Sequence, residues 1–246
     1  MGISGLYKGQ LLTGGSDVDF MIHGVLKYPF KFLGQDIYLT TTHVTVIIIM
    51  LVLLIFAIAA NRRMRRAEEI PGGFQNVVEL IVEFLEKMVQ GSMGKHAARY
   101  VNYIGSGFIF ILISNLSGLF GFRPPTADYG VTFPLGIMTF CIIQYNNIRN
   151  NKFGAFTDLF KPLPFLFPIN LIGEIAVPFS LSLRLFGNVL SGTVMMSLIY
   201  SLLGNVAIGW PGILHIYFDV FSGAILTYVF CMLTMVFVSQ KLPEEA

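Results

Sequence analysis

Residues 168–203 read PINLIGEIAVPFSLSLRLFGNVLSGTVMMSLIYSLL. The pattern is helical and mostly apolar, and at 1.5 Å per residue it is about 54 Å long, against a bilayer hydrocarbon core of about 30 Å. A helix of that length cannot stand upright in a membrane. It must tilt steeply or break, and Pro178 is the only candidate break. An arginine, Arg184, stands near its middle.

The rest of the chain agrees with a membrane setting. Apolar residues make up 54% of the 246 residues and charged residues 12%, with a mean hydropathy of +0.71; a soluble domain carries about 25% charged residues. The net charge of +2 and the lack of a basic, aromatic-interleaved stretch argue against a nucleic-acid partner. Cys141 and Cys231 sit in apolar runs and read as small buried hydrophobes, with neither metal-site nor disulfide spacing. No cleavable signal peptide is visible in the mixed, aromatic first 40 residues.

Working outward from residues 168–203, the expected fold is an all-α integral membrane protein. It has about five membrane helices and one inner-surface amphipathic helix, in a single membrane domain over 1–246. Residues 1–42 form an external N-terminal segment. The first membrane helix, 43–60, is followed by Asn61-Arg62-Arg63-Met64-Arg65-Arg66, which fixes that end on the cytoplasmic side. In 74–95 the apolar positions 74, 77, 78, 81, 84, 85, 88 and 89 recur at helical spacing. Asn76, Glu79, Glu83, Glu86, Lys87 and Gln90 lie opposite, as in a helix lying on the inner membrane surface. A helical hairpin spans 103–145, with Arg123 to Asp128 as its external turn and Pro134 in its short second arm. A long tilted hairpin, 168–240, closes the chain, with the turn Gly209-Trp210-Pro211-Gly212. The N-terminus is then outside and the C-terminus cytoplasmic. No internal repeat suggests a transporter built from inverted halves.

Three ionisable residues fall within the last two helices: Glu174, Arg184 and Asp219. A helix-centre arginine costs about 2.5–3.5 kcal/mol on insertion scales, so the default reading is functional, with snorkelling as the bland alternative. Asn170, Ser180, Asn188 and Ser191 fall within roughly 40° of Arg184 around the helix, making a polar stripe. Leu181 and Leu185 should point away from it, toward the last helix or lipid. Gly187, Ser191 and Gly192 admit a close neighbour, which ordinary helix packing also explains. Asp219 follows His215 by one turn. Without a third ligand the pair reads better as a proton relay, or as an acid in a wet cavity, than as a metal site. Glu174 suits an interfacial anchor as readily as a channel.

The run Pro178-Phe179-Ser180-Leu181-Ser182-Leu183-Arg184-Leu185-Phe186-Gly187-Asn188 resembles the signature helix of the subunit a family of F-type ATP synthases. Similar support comes from Gly73 to Glu79, Ser114-Asn115-Leu116-Ser117-Gly118, Pro124-Pro125-Thr126 and Asp219 to Phe230. The resemblance implies a bacterial inner-membrane stator subunit, with no nucleotide-binding or hydrolytic site, cofactor or metal of its own. A ring of small hairpin subunits, the c-ring, turns against the tilted helix pair. Peripheral-stalk b subunits and the lipid bilayer are further partners, and the soluble catalytic head is an indirect one. Ions, expected to be protons, cross by two offset half-channels that drive rotation in ATP synthesis. Arg184 matches the family's essential arginine. Asn188, Asp219 and Asn115 fall on the outer half-channel, and Asn170, Glu174 and Ser180 on the inner one. Two positions depart from many relatives: Thr193 stands where a second titratable group is common, and Leu226 where Gln is. The rival readings are a self-contained secondary transporter or anion channel with Arg184 binding substrate, and a structural anchor, which leaves Arg184 unexplained.

Overall fold

The computed structural model describes residues 24–32, 35–65, 72–120, 122–151, 167–203, 214 and 216–242. His215, the turn at 209–212 and the loop through Lys161 and Pro164 lie outside them. From Thr41 onward the described residues are mostly helical. Ahead of them stands a feature the sequence reading did not supply: an antiparallel hairpin, β1 (Gly24–Phe32) and β2 (Gln35–Thr40), registered from Gly24 opposite Thr40 to Phe32 opposite Gln35. β2 runs directly into the first helix.

α1 (Thr41–Met64) carries Arg62 and Arg63 in its last turn, where cations favour the negative end of the helix dipole. Its apolar side chains, Ile47 to Ile58, are largely exposed while Thr42, Thr45 and Ile49 are buried. That is the reverse of a soluble helix and what lipid contact demands.

α2 (Gly73–Met93) has three faces. Gln75, Val78, Leu85, Val89 and Met93 are buried, Phe74, Val77, Leu80 and Phe84 are exposed and apolar, and Glu83 and Lys87 pair across one turn at 2.6 Å on the polar side. The buried face packs on α3 (Ala97–Leu116) and the last helix, with Val89 and Met93 in the core; beside it the exposed Phe84 meets Phe108 edge-on, and Ser92 Oγ donates to Met232 Sδ. Gly94, at φ 55, provides the left-handed turn that separates α2 from α3 and that glycine adopts without strain.

α3 (Ala97–Leu116) begins before the expected residue 103, because Ala97 and Tyr100 are themselves buried. It ends in a 3-10 turn, Ser117–Phe120. The expected external turn is not a solvent loop. Pro125–Ala127 form a 3-10 turn, and Pro125, Thr126 and Ala127 are all buried, Thr126 completely, wedged among α1, α3 and the two helices that follow, α4 (Tyr129–Asn151) and α5 (Phe167–Leu203). α4 (Tyr129–Asn151) is longer than the expected arm and carries Pro134 inside it. Among the described residues four stretches are long and apolar enough to cross a membrane, and α4 is not among them. Its polar Thr132, Thr139, Asn146 and Asn147 are buried against protein, where they cost less than in lipid.

α5 (Phe167–Leu203) settles the opening question. It is one unbroken helix of 37 residues with Pro178 inside it, about 55 Å long, so it must lie obliquely. The packing that accommodates Pro178 comes from α4: a Cβ on Gly136 would lie 2.6 Å from the Pro178 carbonyl oxygen. The last helix is not regular. Ile216–Ser222 form a π-helical turn leading into α6 (Gly223–Ser239). One apolar cluster unites Val89, Ile104, Ile111, Leu181, Leu185, Leu226, Phe230 and Met235.

Candidate functional site

Arg184 lies on the exposed side of α5, and Ser180, Asn188 and Ser191 share that exposure. Leu181 and Leu185 are 1% and 0% exposed. The helical periodicity read from sequence therefore divides the helix as expected, with the polar stripe outward and both leucines in the core. Ser191 Oγ folds back on the Asn188 carbonyl at 2.9 Å. Gly187 is also exposed, with open space where a Cβ would be.

Two cavities open on α5, one on each side of Arg184 along the helix. The first, of about 20 Å³, is lined by Asn115, Pro124, Asn188, Thr193, Asp219 and Leu226 among others, room for about one water. It gathers the three residues assigned to the outer path, Asn188, Asp219 and Asn115, together with Thr193. Among the described residues Asp219 is the only ionisable group in that lining. Thr193 Oγ1 bonds back to the Leu190 carbonyl at 2.8 Å. Asp219 sits within the π turn, a widened backbone often found at functional sites.

Asn115 is fully engaged as well as lining the cavity. Its Nδ2 donates to the Gly223 carbonyl at 3.1 Å and to Thr227 Oγ1 at 3.3 Å. Its Oδ1 accepts from Thr126 Oγ1 at 2.7 Å. One buried side chain thus ties α3 and the Pro125–Ala127 turn to the start of α6, just beyond the π turn. The approach depends on a missing side chain, since a Cβ on Gly223 would lie 2.9 Å from the Asn115 Cβ.

The second cavity, about 580 Å³, is lined by Gln144, Asn170, Glu174, Gln240 and Lys241 together with apolar groups such as Phe140 and Phe237. Asn170 and Glu174 come together here. Ser180 does not line it, and stays on the exposed stripe. Glu174 accepts from Lys241 Nζ at 3.1 Å and from Gln144 Nε2 at 3.0 Å. Sequence reasoning missed both donors. Gln144, the first amide at the end of an apolar run, was the available signal. Between the cavities, the buried Leu181 and Leu185 join Leu226 and Phe230 in the core. Among the described residues no three His, Cys, Asp or Glu side chains gather as a metal site would require.

The profile of the ATP synthase A chain family matches residues 43–239. Over 265 aligned residues the chain is 33% identical to "ATP synthase subunit a, sodium ion specific" of Propionigenium modestum, covering 99% of this chain and 90% of that relative. It is 34% identical to ATP synthase subunit a of Priestia megaterium, over 71% of this chain and 81% of the relative. With that of Moorella thermoacetica the identity is 37%, over 71% and 79%.

Proposed function

The chain belongs to the ATP synthase A chain family, and from that premise we propose how its cavities and its arginine divide the work. It is the ion-translocating stator part of an F-type ATP synthase, a multi-pass protein of a bacterial membrane. Family membership does not support the rival reading as a self-contained transporter or anion channel.

In our reading the outer half-channel ends at Asp219, with Asn188, Thr193 and Asn115 around it. The inner one runs past Asn170 and Glu174 toward Ser180. The c-ring docks on the polar stripe of α5. The observation that carries this is the outward exposure of Arg184, between two cavities that each hold one carboxylate among the described residues, on a helix whose Leu181 and Leu185 are buried. A fixed cation beside a passing carboxylate of the ring favours its anionic form, so the carboxylate releases its ion there. The same charge repels an ion leaking directly between the half-channels. Each elementary charge crossing gains about 2.3 kcal/mol per 100 mV, which the ring converts to rotation. The subunit itself needs no nucleotide or hydrolytic site. Peripheral-stalk b subunits are its other membrane partners, and α2 lies in the inner leaflet with its polar face to the cytoplasm. The N-terminus is outside and the C-terminus inside.

The test uses the whole complex in vesicles. Arg184→Ala is expected to abolish coupled synthesis while assembly persists, and Asp219→Asn to slow transport severely without a leak. Normal ATP-driven pumping by the Arg184 variant overturns the reading. We take the proton as the ion; pumping that requires added Na⁺ would replace it with sodium.

A further inference from the structure

We propose that Lys241 is a tethered cation resident in the inner cavity, where it competes with the transported ion for Glu174 and keeps that site weak. This rests on reading the cavity as the inner half-channel.

Among the described residues Glu174 is the only acidic group in the lining, and Lys241 the only basic one. Lys241 Nζ stands 3.1 Å from Glu174 Oε1, and their side chains are 29% and 26% exposed. Gln144 Nε2 donates to the other oxygen, Oε2. Much of the remaining wall is apolar, including Phe140, Ile143, Ile169, Val177 and Phe237. A cation entering here finds one anionic group, already held by an ammonium and an amide.

The ammonium is held at its root and free at its stem. Asn150 Nδ2 donates to the Lys241 carbonyl at 3.0 Å, and the Lys241 amide donates to the Val238 carbonyl. These bonds pin the backbone beside the inner end of α4, while the side chain keeps a flexible four-carbon stem. Lys241 can therefore swing from Glu174 to water without the helices moving, as a hydrated cation takes its place. No covalent bond changes. Paired, the site carries no net charge; without Lys241, Glu174 is an uncompensated anion in a partly desolvated cavity and holds cations more tightly. An ion leaving the ring inward would then be retained at Glu174, and Lys241 prevents that retention.

The experiment measures ATP-driven pumping by the whole complex in vesicles while the inner-side cation concentration is varied, as H⁺ and, in parallel at fixed pH, as Na⁺. Lys241→Gln is expected to lower the concentration for half-maximal pumping by about threefold or more. The exchange Glu174→Lys with Lys241→Glu should restore most of the wild-type value. In a Glu174→Gln background Lys241→Gln should add nothing. An unchanged half-saturation in Lys241→Gln overturns the proposal, as does an undiminished effect in the Glu174→Gln background. If Lys241→Gln does not assemble, Lys241→Met replaces it, and failure of both makes Lys241 structural and ends the proposal. Arg184→Ala runs beside them. If it pumps normally, the half-channel reading itself has failed; if it is inactive while Lys241→Gln matches wild type, only the role of Lys241 has.

Discussion

Gly118 and Asp219 meet so closely that a Cβ on Gly118 would lie 3.1 Å from the Asp219 carboxyl carbon and from one of its oxygens. Gly118 belongs to the 3-10 turn ending α3, and Asp219 to the π turn before α6. The bare backbone of one forms the floor on which the acid of the other rests, at the edge of the smaller cavity.

Gly118→Ala should therefore push the carboxylate aside without preventing assembly. Displacing a reacting group by a fraction of an ångström to an ångström lowers rates by about ten- to a hundredfold. ATP-driven pumping in vesicles should fall within or near that range at unchanged complex content. A wild-type rate would mean that the position of Asp219 is not critical.

Gly136→Ala addresses the fold instead. The added Cβ would collide with the Pro178 carbonyl at 2.6 Å, and backbone yields less readily than a side chain. Overpacking of this kind costs about 1–3 kcal/mol or more. The purified complex should melt at lower temperature or lose this subunit. Equal melting would show that α4 and α5 separate easily here.

Thr126→Val keeps the shape of the buried turn but removes the hydroxyl that donates to Asn115 Oδ1. The acceptor is left buried without that donor, at a cost of about 1–3 kcal/mol. Reduced thermal stability together with slower pumping would identify the Asn115 clamp as what positions the π turn. Slower pumping at full stability would instead make Asn115 a direct member of the path.

Crosslinking can report which face meets the rotor. Cysteines at Ser180, Asn188 or Ser191 should form disulfides with cysteines beside the ring carboxylate, which requires Cα separations below about 7 Å. Leu181→Cys and Leu185→Cys should not, being 1% and 0% exposed at present. Cys141, which is exposed and not buried as its apolar run suggested, and Cys231, which is buried, must be replaced first. Efficient crosslinks from the leucine positions alone would reverse the orientation of α5 and remove Arg184 from the rotor face.

What the sequence by itself determined follows from properties of single helices. Length against bilayer thickness required α5 to be oblique or broken. The 3.6-residue period set Leu181 and Leu185 to one side of the stripe that Arg184 centres, and the cost of charge in hydrocarbon singled out Glu174, Arg184 and Asp219. What only the tertiary structure decided depends on which helices meet. Pro178 leaves α5 unbroken against Gly136 of α4. Pro124 to Ala127 turn inward, because four helices close over them. Asp219 sits in a π turn next to a start of α6 that Asn115 braces from α3. Glu174 finds its partners, Gln144 and Lys241, on two other segments. Periodicity tells which way a side chain faces on its own helix. It carries no information about what the facing helix presents, because that is set by close contacts between residues far apart in the chain.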